Sequence, residues 1–178
     1  GLHHREVRIM RSKFDSQLAT LSEEMTQMGA NCEEVIALAA KALLEGEAQL
    51  GAKVADIDSK IDRMERDIES LCFKLILQQQ PVAKDLRQIS AALKMITDLE
   101  RIGDQADDIA EIIPFLGGRT GAECESVSLM ARETIRMVTE SVDAYVKGDV
   151  ELAKAVIAHD DVVDDCFDNV KSSLIRLI

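Results

Sequence analysis

Aromatic side chains make up only 3% of the 178 residues and tryptophan is absent, so any core must be built from aliphatic groups. Two prolines and nine glycines are the whole supply of strong turn formers. A sandwich or barrel needs a turn about every 8–12 residues, and an all-β fold is disfavoured on that count. Basic residues are also scarce: 21 Lys plus Arg against 33 Asp plus Glu leave a net charge of -12. No basic run forms the cationic stripe that displaces counterions from nucleic-acid phosphates, which rules out nucleic acid as the expected partner. The most apolar stretch, residues 35–44, is ten residues long and contains Lys41, short of the roughly 18 needed to cross a bilayer. The N-terminal GLHHREVRI has no apolar signal-peptide core. A soluble, cytoplasmic protein is expected, with native sequence starting at Met10 and residues 1–9 a remnant in front of it. Cys32, Cys72, Cys124 and Cys166 form no C-x-x-C pair, so they read as buried thiols in a reducing compartment rather than as zinc ligands or a disulfide framework.

What the chain does have is helical periodicity. Residues 14, 18, 21, 25, 28, 32, 35, 39 and 42 are apolar or small at an alternating 4-3 spacing, the pattern of a coiled-coil-like seam. A second seam runs through Leu50, Val54, Ile57, Ile61, Met64, Ile68, Leu71 and Leu75, and Glu45-Gly46-Glu47 separates the two. A third helix is expected to open at Pro81, where a missing N–H is harmless, and to close at Pro114. At about 33 residues it would be roughly 50 Å long. Long helices with short links predict an antiparallel bundle.

The pattern repeats at a shift of 102. Gly46, Leu50, Val54, Asp58, Asp62, Ser70, Leu75 and Ile76 recur as Gly148, Leu152, Val156, Asp160, Asp164, Ser172, Leu177 and Ile178. Met28 and Ala42 likewise fall on Met130 and Ala144. The expected architecture is therefore all-α, two tandem three-helix-bundle repeats over residues 10–116 and 121–178 joined by a linker at 117–121. The second lacks its third helix, which would start at residue 183. Its apolar face needs cover from the first unit or from another chain, unless the sequence is a shortened one, and a homo-oligomer is expected.

The densest chemistry lies at 98–111, DLERIGDQADDIAE, with six acids and one base. Glu100 and Asp104 are four apart on one helix face, where like charges repel. Asp58 and Asp62 do the same on the second helix, directly after seam residues Ile57 and Ile61, and Asp160 and Asp164 repeat them. Acid pairs on neighbouring helices could bring four carboxylates together, an all-oxygen set suited to Mg²⁺, Mn²⁺ or iron. The alternative is a solvated acidic face.

The segment 98–106, preceded by PVAKDLR at 81–87, resembles the signature of the PhoU family, and the opening MRSKF at 10–14 with Leu18, Leu21 and Met28-Gly29 is similar to its start. That resemblance implies tandem three-helix bundles with paired acidic motifs that bind multinuclear metal clusters. By position the first set would be Asp58 with Asp62 and Glu100 with Asp104, and the second Asp160 with Asp164, whose partner motif belongs to the absent sixth helix. It also implies a regulator, not an enzyme, which restrains the phosphate-starvation response by linking the ATPase subunit of the phosphate ABC transporter to a sensor histidine kinase. Such a protein would sit at the inner face of the membrane through its protein partners, because anionic lipid repels a chain of this charge.

Several residues carry weaker readings. His159 precedes Asp160, giving an H-D pair of the kind metal phosphohydrolases use, but the other histidines, His3 and His4, are at the far terminus. A polar residue at the bundle edge is the simpler account. The Glu-x-x-His motifs of di-iron oxidases are absent, as is a Gly-rich phosphate loop. Met25, Met28 and Met64 follow the seams as core filler. Lys84 and Arg87 are candidates for partner docking on an otherwise solvated face. A metal-storage or metallohydrolase bundle using the same carboxylates is the competing function.

Overall fold

The computed structural model describes residues 1–78, 81–119 and 125–178, and every regular element among them is helical. The first seam becomes the buried stripe of α1 (Leu2–Glu45), in which all nine seam positions from Phe14 to Ala42 are buried. Gly46 ends the helix in the left-handed region at φ 70°, and the Glu47 N–H bonds the Ala42 carbonyl at 3.0 Å. Only a residue without a Cβ enters that region at no cost. The same closure recurs after α4 (Glu125–Val146), where Gly148 has φ 84° and the Asp149 N–H bonds Ala144 O at 2.9 Å. Both glycines and both accepting alanines are related by the shift of 102.

The helices α2 (Leu50–Gln78) and α3 (Ala83–Ile112) pack on each other and on α1. Pro81 lies just outside α3, which starts at Ala83 after an extended Val82 cap and runs 30 residues rather than about 33. It passes into a 3₁₀ turn, Ile113–Leu116, because Pro114 has no N–H to continue the ladder. Heptad spacing, which on α3 would place Leu86, Ile89, Leu93 and Ile96 inward, misplaces part of these two stripes. On α2, Ile57, Met64 and Leu71 are only partly buried while Asp58 and Cys72 are buried, and on α3 Leu86 is exposed while Asp85 is buried. A straight helix at 3.6 residues per turn drifts about 20° per heptad from a 3.5-residue seam, and the drift carries the neighbouring position inward. Asp85 is held by the Arg11 guanidinium at 2.8 Å, and that guanidinium also lies 5.2 Å from the centre of the Phe14 ring.

The fifth helix, expected to be continuous, is two pieces: α5 (Val150–Ile157) and α6 (Asp160–Ile175). At the break the His159 N–H bonds back only three residues, to Val156 O at 3.1 Å. Asp160 and Asp161 then open α6, where the positive helix end favours carboxylates. The burial stripe shifts here too. Leu152 and His159 are exposed, and Ala153 and Ile157 point into the core instead. The face of the second unit is covered by the first unit: α4 lies along α1, and α5 and α6 lie on α4 and α3, making one continuous core. An open groove between α4 and the α5–α6 break is lined by Met137, Glu140, Val156, His159, Val162 and Val163.

Cys32, Cys72 and Cys166 are buried free thiols, whereas Cys124 and linker residues 120 and 121 lie outside the described residues. Among the described residues no helix is long and apolar enough to cross a membrane.

α1 and α4 approach closely at Gly29, where an added Cβ would stand 2.9 Å from Val142 Cγ2. Helix propensity favours Ala over Gly by about 1 kcal/mol, but overpacking against a β-branched side chain that cannot turn aside costs about 1–3 kcal/mol. Gly29→Ala should therefore lower the urea midpoint. A rise would show that the two helices separate without penalty.

Candidate functional site

Two faces of α3 carry the acids of 98–111, and they have different surroundings. Glu100, Gly103, Asp104 and Asp107 turn toward α2, and Asp98, Arg101, Gln105 and Asp108 turn toward α6. Helical geometry explains the division, since positions three and four apart stack on one face.

On the α2 side, one carboxylate oxygen from each of Asp58, Asp62 and Asp104 lies within 4.8 Å of the others. Gly103 makes this possible. A Cβ there would come within 2.8 Å of Asp58 Oδ1 and 3.2 Å of Ile61 Cδ1, so only a glycine lets the Asp58 carboxylate enter between the helices. Asp58 is just 8% exposed, and its Oδ1 and that of Asp62 are buried atoms without a hydrogen-bond partner. Burial pushes the Asp58 carboxyl up to about 8, helped by the Asp104, Asp62 and Asp107 charges. Glu100 is also raised to about 8, first by sharing a hydrogen bond with Asp104, then by burial and by its other acidic neighbours. Glu65 and Asp107 at the rim are shifted upward by burial and by the same crowd of charge. Acids in this setting need either retained protons or a cation. The donor set is all oxygen, the preference of hard divalent ions. With its two unpartnered oxygens, the group formed by Asp58, Asp62 and Asp104, flanked by Glu100, fits such an ion.

On the α6 side the acids face a cation of the chain's own, Arg101. Arg101 Nη2 lies 2.8 Å from Asp160 Oδ2, 3.3 Å from Asp98 Oδ1 and 3.4 Å from Asp164 Oδ2. Gln105 Nε2 donates to Asp164 Oδ1 at 3.0 Å, and Lys171 reaches Asp108 at 3.6 Å. Asp98 is pushed up to about 6, mainly by burial and by hydrogen bonding with Asp160, while Asp160 is held below the usual range by Arg101 and Asp98 against its own burial.

The six acids named from the sequence thus fall into two groups. Asp58, Asp62, Glu100 and Asp104 come together between α2 and α3, whereas Asp160 and Asp164 face a guanidinium. Sequence reading passed over Asp98, Arg101, Gln105 and the need for Gly103. The 98-101-105-108 spacing marks a second polar face of α3 and was the available signal, but nothing in the sequence said that α6 would lie against it. Lys84 and Arg87 are exposed near the start of α3, and His159 is exposed at the α5–α6 break, on a different pair of helices from the Asp58 group.

Comparison with known proteins agrees with this architecture. The chain is 34% identical over 165 residues to the phosphate-specific transport system accessory protein PhoU homolog of Synechocystis sp., a match spanning 92% of this chain and 74% of that protein. It is 34% identical over 170 residues to the homolog of Clostridium acetobutylicum, spanning 94% and 78%. The crystal structure of PhoU from Pseudomonas aeruginosa superposes with a TM-score of 0.72 at 31% identity, over 92% of this chain and 79% of that one. That of the phosphate transport system regulatory protein PhoU from Streptococcus pneumoniae, at 18% identity and TM-score 0.65 over 92% and 96%, shares the fold. The PhoU domain model matches residues 25–113 and 127–178, one stretch on each side of the linker. With the helix-closing glycines and the acid pairs repeated across those two stretches, the chain belongs to the PhoU family.

Proposed function

We propose that this protein is an accessory regulator of phosphate uptake and phosphate-starvation signalling, a metal-binding helical adaptor between the ATPase subunit of a phosphate ABC transporter and a sensor histidine kinase. The transporter half of this reading is supported by relatives whose names place them with a phosphate-specific transport system. The observation that carries the metal half is the Asp58, Asp62 and Asp104 group with its unpartnered buried oxygens. A divalent or multinuclear metal (Mg²⁺, Mn²⁺ or iron) bound there supplies the positive charge that these acids lack. Asp58 and Asp62 would hold it from α2 and Asp104 from α3, with Glu100 one turn away, so that loading fixes the α2–α3 pair. Long rigid helices of net negative charge suit docking to basic partner surfaces at salt-sensitive rates, and the exposed Lys84 and Arg87 are the proposed cationic contact on the same helix. In this reading the protein is a cytoplasmic homo-oligomer held at the membrane's inner face by its protein partners, and it regulates rather than catalyses.

Replacing Glu100→Gln together with Asp104→Asn should abolish Mn²⁺ binding by the purified protein and derepress a phosphate-starvation reporter in phosphate-replete cells. Full repression by a variant that no longer binds metal would refute a regulatory role for the site. Because Asp58 and Glu100 titrate near 8 when folded and near 4 when unfolded, the metal-free folded state binds the extra protons. Its stability contribution is complete below about pH 4 and is lost as pH rises through about 8. The melting temperature of metal-free protein should fall over that window, more steeply than in an Asp58→Asn, Glu100→Gln variant. Saturating Mn²⁺ should flatten the fall and release protons on binding, seen as a buffer-dependent heat. Gly103→Ala should weaken Mn²⁺ binding by on the order of 10–100-fold by displacing the Asp58 carboxylate, even though Ala is the better helix former. Unchanged affinity would mean that Asp58 is not a ligand.

A further inference from the structure

The two acid pairs related by the repeat, Asp58 with Asp62 and Asp160 with Asp164, differ in one physical respect. The first has buried oxygens with no partner, whereas the second accepts hydrogen bonds from Arg101 and Gln105. We infer that Arg101 is the built-in cation of the second pair, so that the chain has one metal site, between α2 and α3, and not one per repeat. The resemblance that assigns metal to both pairs does not fit the α6 side. A single guanidinium nitrogen lies within 3.4 Å of three carboxylates there, and the Gln105 amide holds the remaining Asp164 oxygen. An ion entering among Asp98, Asp160 and Asp164 would have to meet the fixed positive charge of Arg101, which does not lose its proton in proteins. Among the described residues, the Asp58, Asp62 and Asp104 set is the one group of three whose ligand atoms converge closely enough for an ion.

The arrangement gives the second acid pair a different task. Arg101 comes from α3 of the first unit, and Asp160 and Asp164 come from α6 of the second, so the ion pairs join the two repeats. Asp160 opens α6 directly after the break at Ala158 and His159, and its carboxylate lies against Arg101. One α3 segment therefore presents ligands on its α2 face and a latch on its α6 face.

This inference rests on the metal reading above for the site it contrasts with, and three variants separate the two. Binding of Mn²⁺ is followed by the electron paramagnetic resonance signal of the free ion, and folding by thermal melting. Asp58→Asn with Asp104→Asn should remove Mn²⁺ binding. Asp160→Asn with Asp164→Asn should leave the affinity and the bound amount unchanged while lowering the melting temperature. Arg101→Met placed in the Asp58→Asn, Asp104→Asn background should restore Mn²⁺ binding at the α6 side, and adding Asp160→Asn and Asp164→Asn should remove it again. Should Arg101→Met fail to fold, Arg101→Gln keeps a hydrogen-bond donor without the charge and makes the same test. Loss of bound Mn²⁺ in the Asp160, Asp164 variant of otherwise wild-type protein would overturn the inference, as would an uncharged residue at 101 that gains no binding. A wild-type protein that binds no Mn²⁺ would instead overturn the metal reading, and the gain at position 101 would still decide this one.

Discussion

Carboxylate repulsion across the α2–α3 contact is the constraint on which the rest of this structure turns. Asp58, Asp62 and Asp104 converge within 4.8 Å where apolar neighbours limit access to water. Charges this close in a low-dielectric setting interact several-fold more strongly than in water. The helices remain packed because the apolar residues Ile61, Ile102 and Ala106 are buried beside the acids, and because Gly103 leaves room for one carboxylate between the helices. Hydrophobic burial holds in place an arrangement that electrostatics opposes, and the opposition appears as carboxyls that keep their protons to about pH 8.

The two faces of α3 resolve the same problem by different means. Toward α6 the chain supplies its own cation, and the acids there join the units. Toward α2 it supplies none, and the acids are left to protons or to an external ion. A helix 30 residues long can serve both neighbours because successive positions along 98–108 alternate between faces 100° per residue apart. Charge density that looks uniform along the chain is in fact divided by the helix period into a ligand face and a latch face.

Much of the fold was legible in the residues. Every position of the first seam is buried, and because α1 is packed against helices of both units its buried face is wider than the seam, taking in Gly29, Asn31, Ile36, Ala40 and Leu43 as well. The repeat was legible in Gly46 and Gly148, since the left-handed closure each makes is a local requirement of the backbone. The stripes of α2 and α5 were less so. Asp58 lies deeper than Ile57, and Ala153 replaces Leu152, because a strict heptad describes a supercoil and these helices are not held to one. The break at His159 had only weak local signals in the two acids that follow it.

The sequence by itself determined that the chain is helical, that it is a tandem repeat, and which acids stand in i, i+4 pairs, because periodicity, glycine closure and side-chain spacing are local properties. Only the tertiary structure decided which acids meet. Asp58 and Asp160 occupy equivalent places in the repeat, and their spacings to Asp62 and Asp164 are the same. The surroundings of the two pairs differ because α3 offers Gly103 and Asp104 to the first pair and Arg101 and Gln105 to the second. That difference depends on which face of one helix is turned to which neighbour, a long-range packing choice that no local pattern specifies.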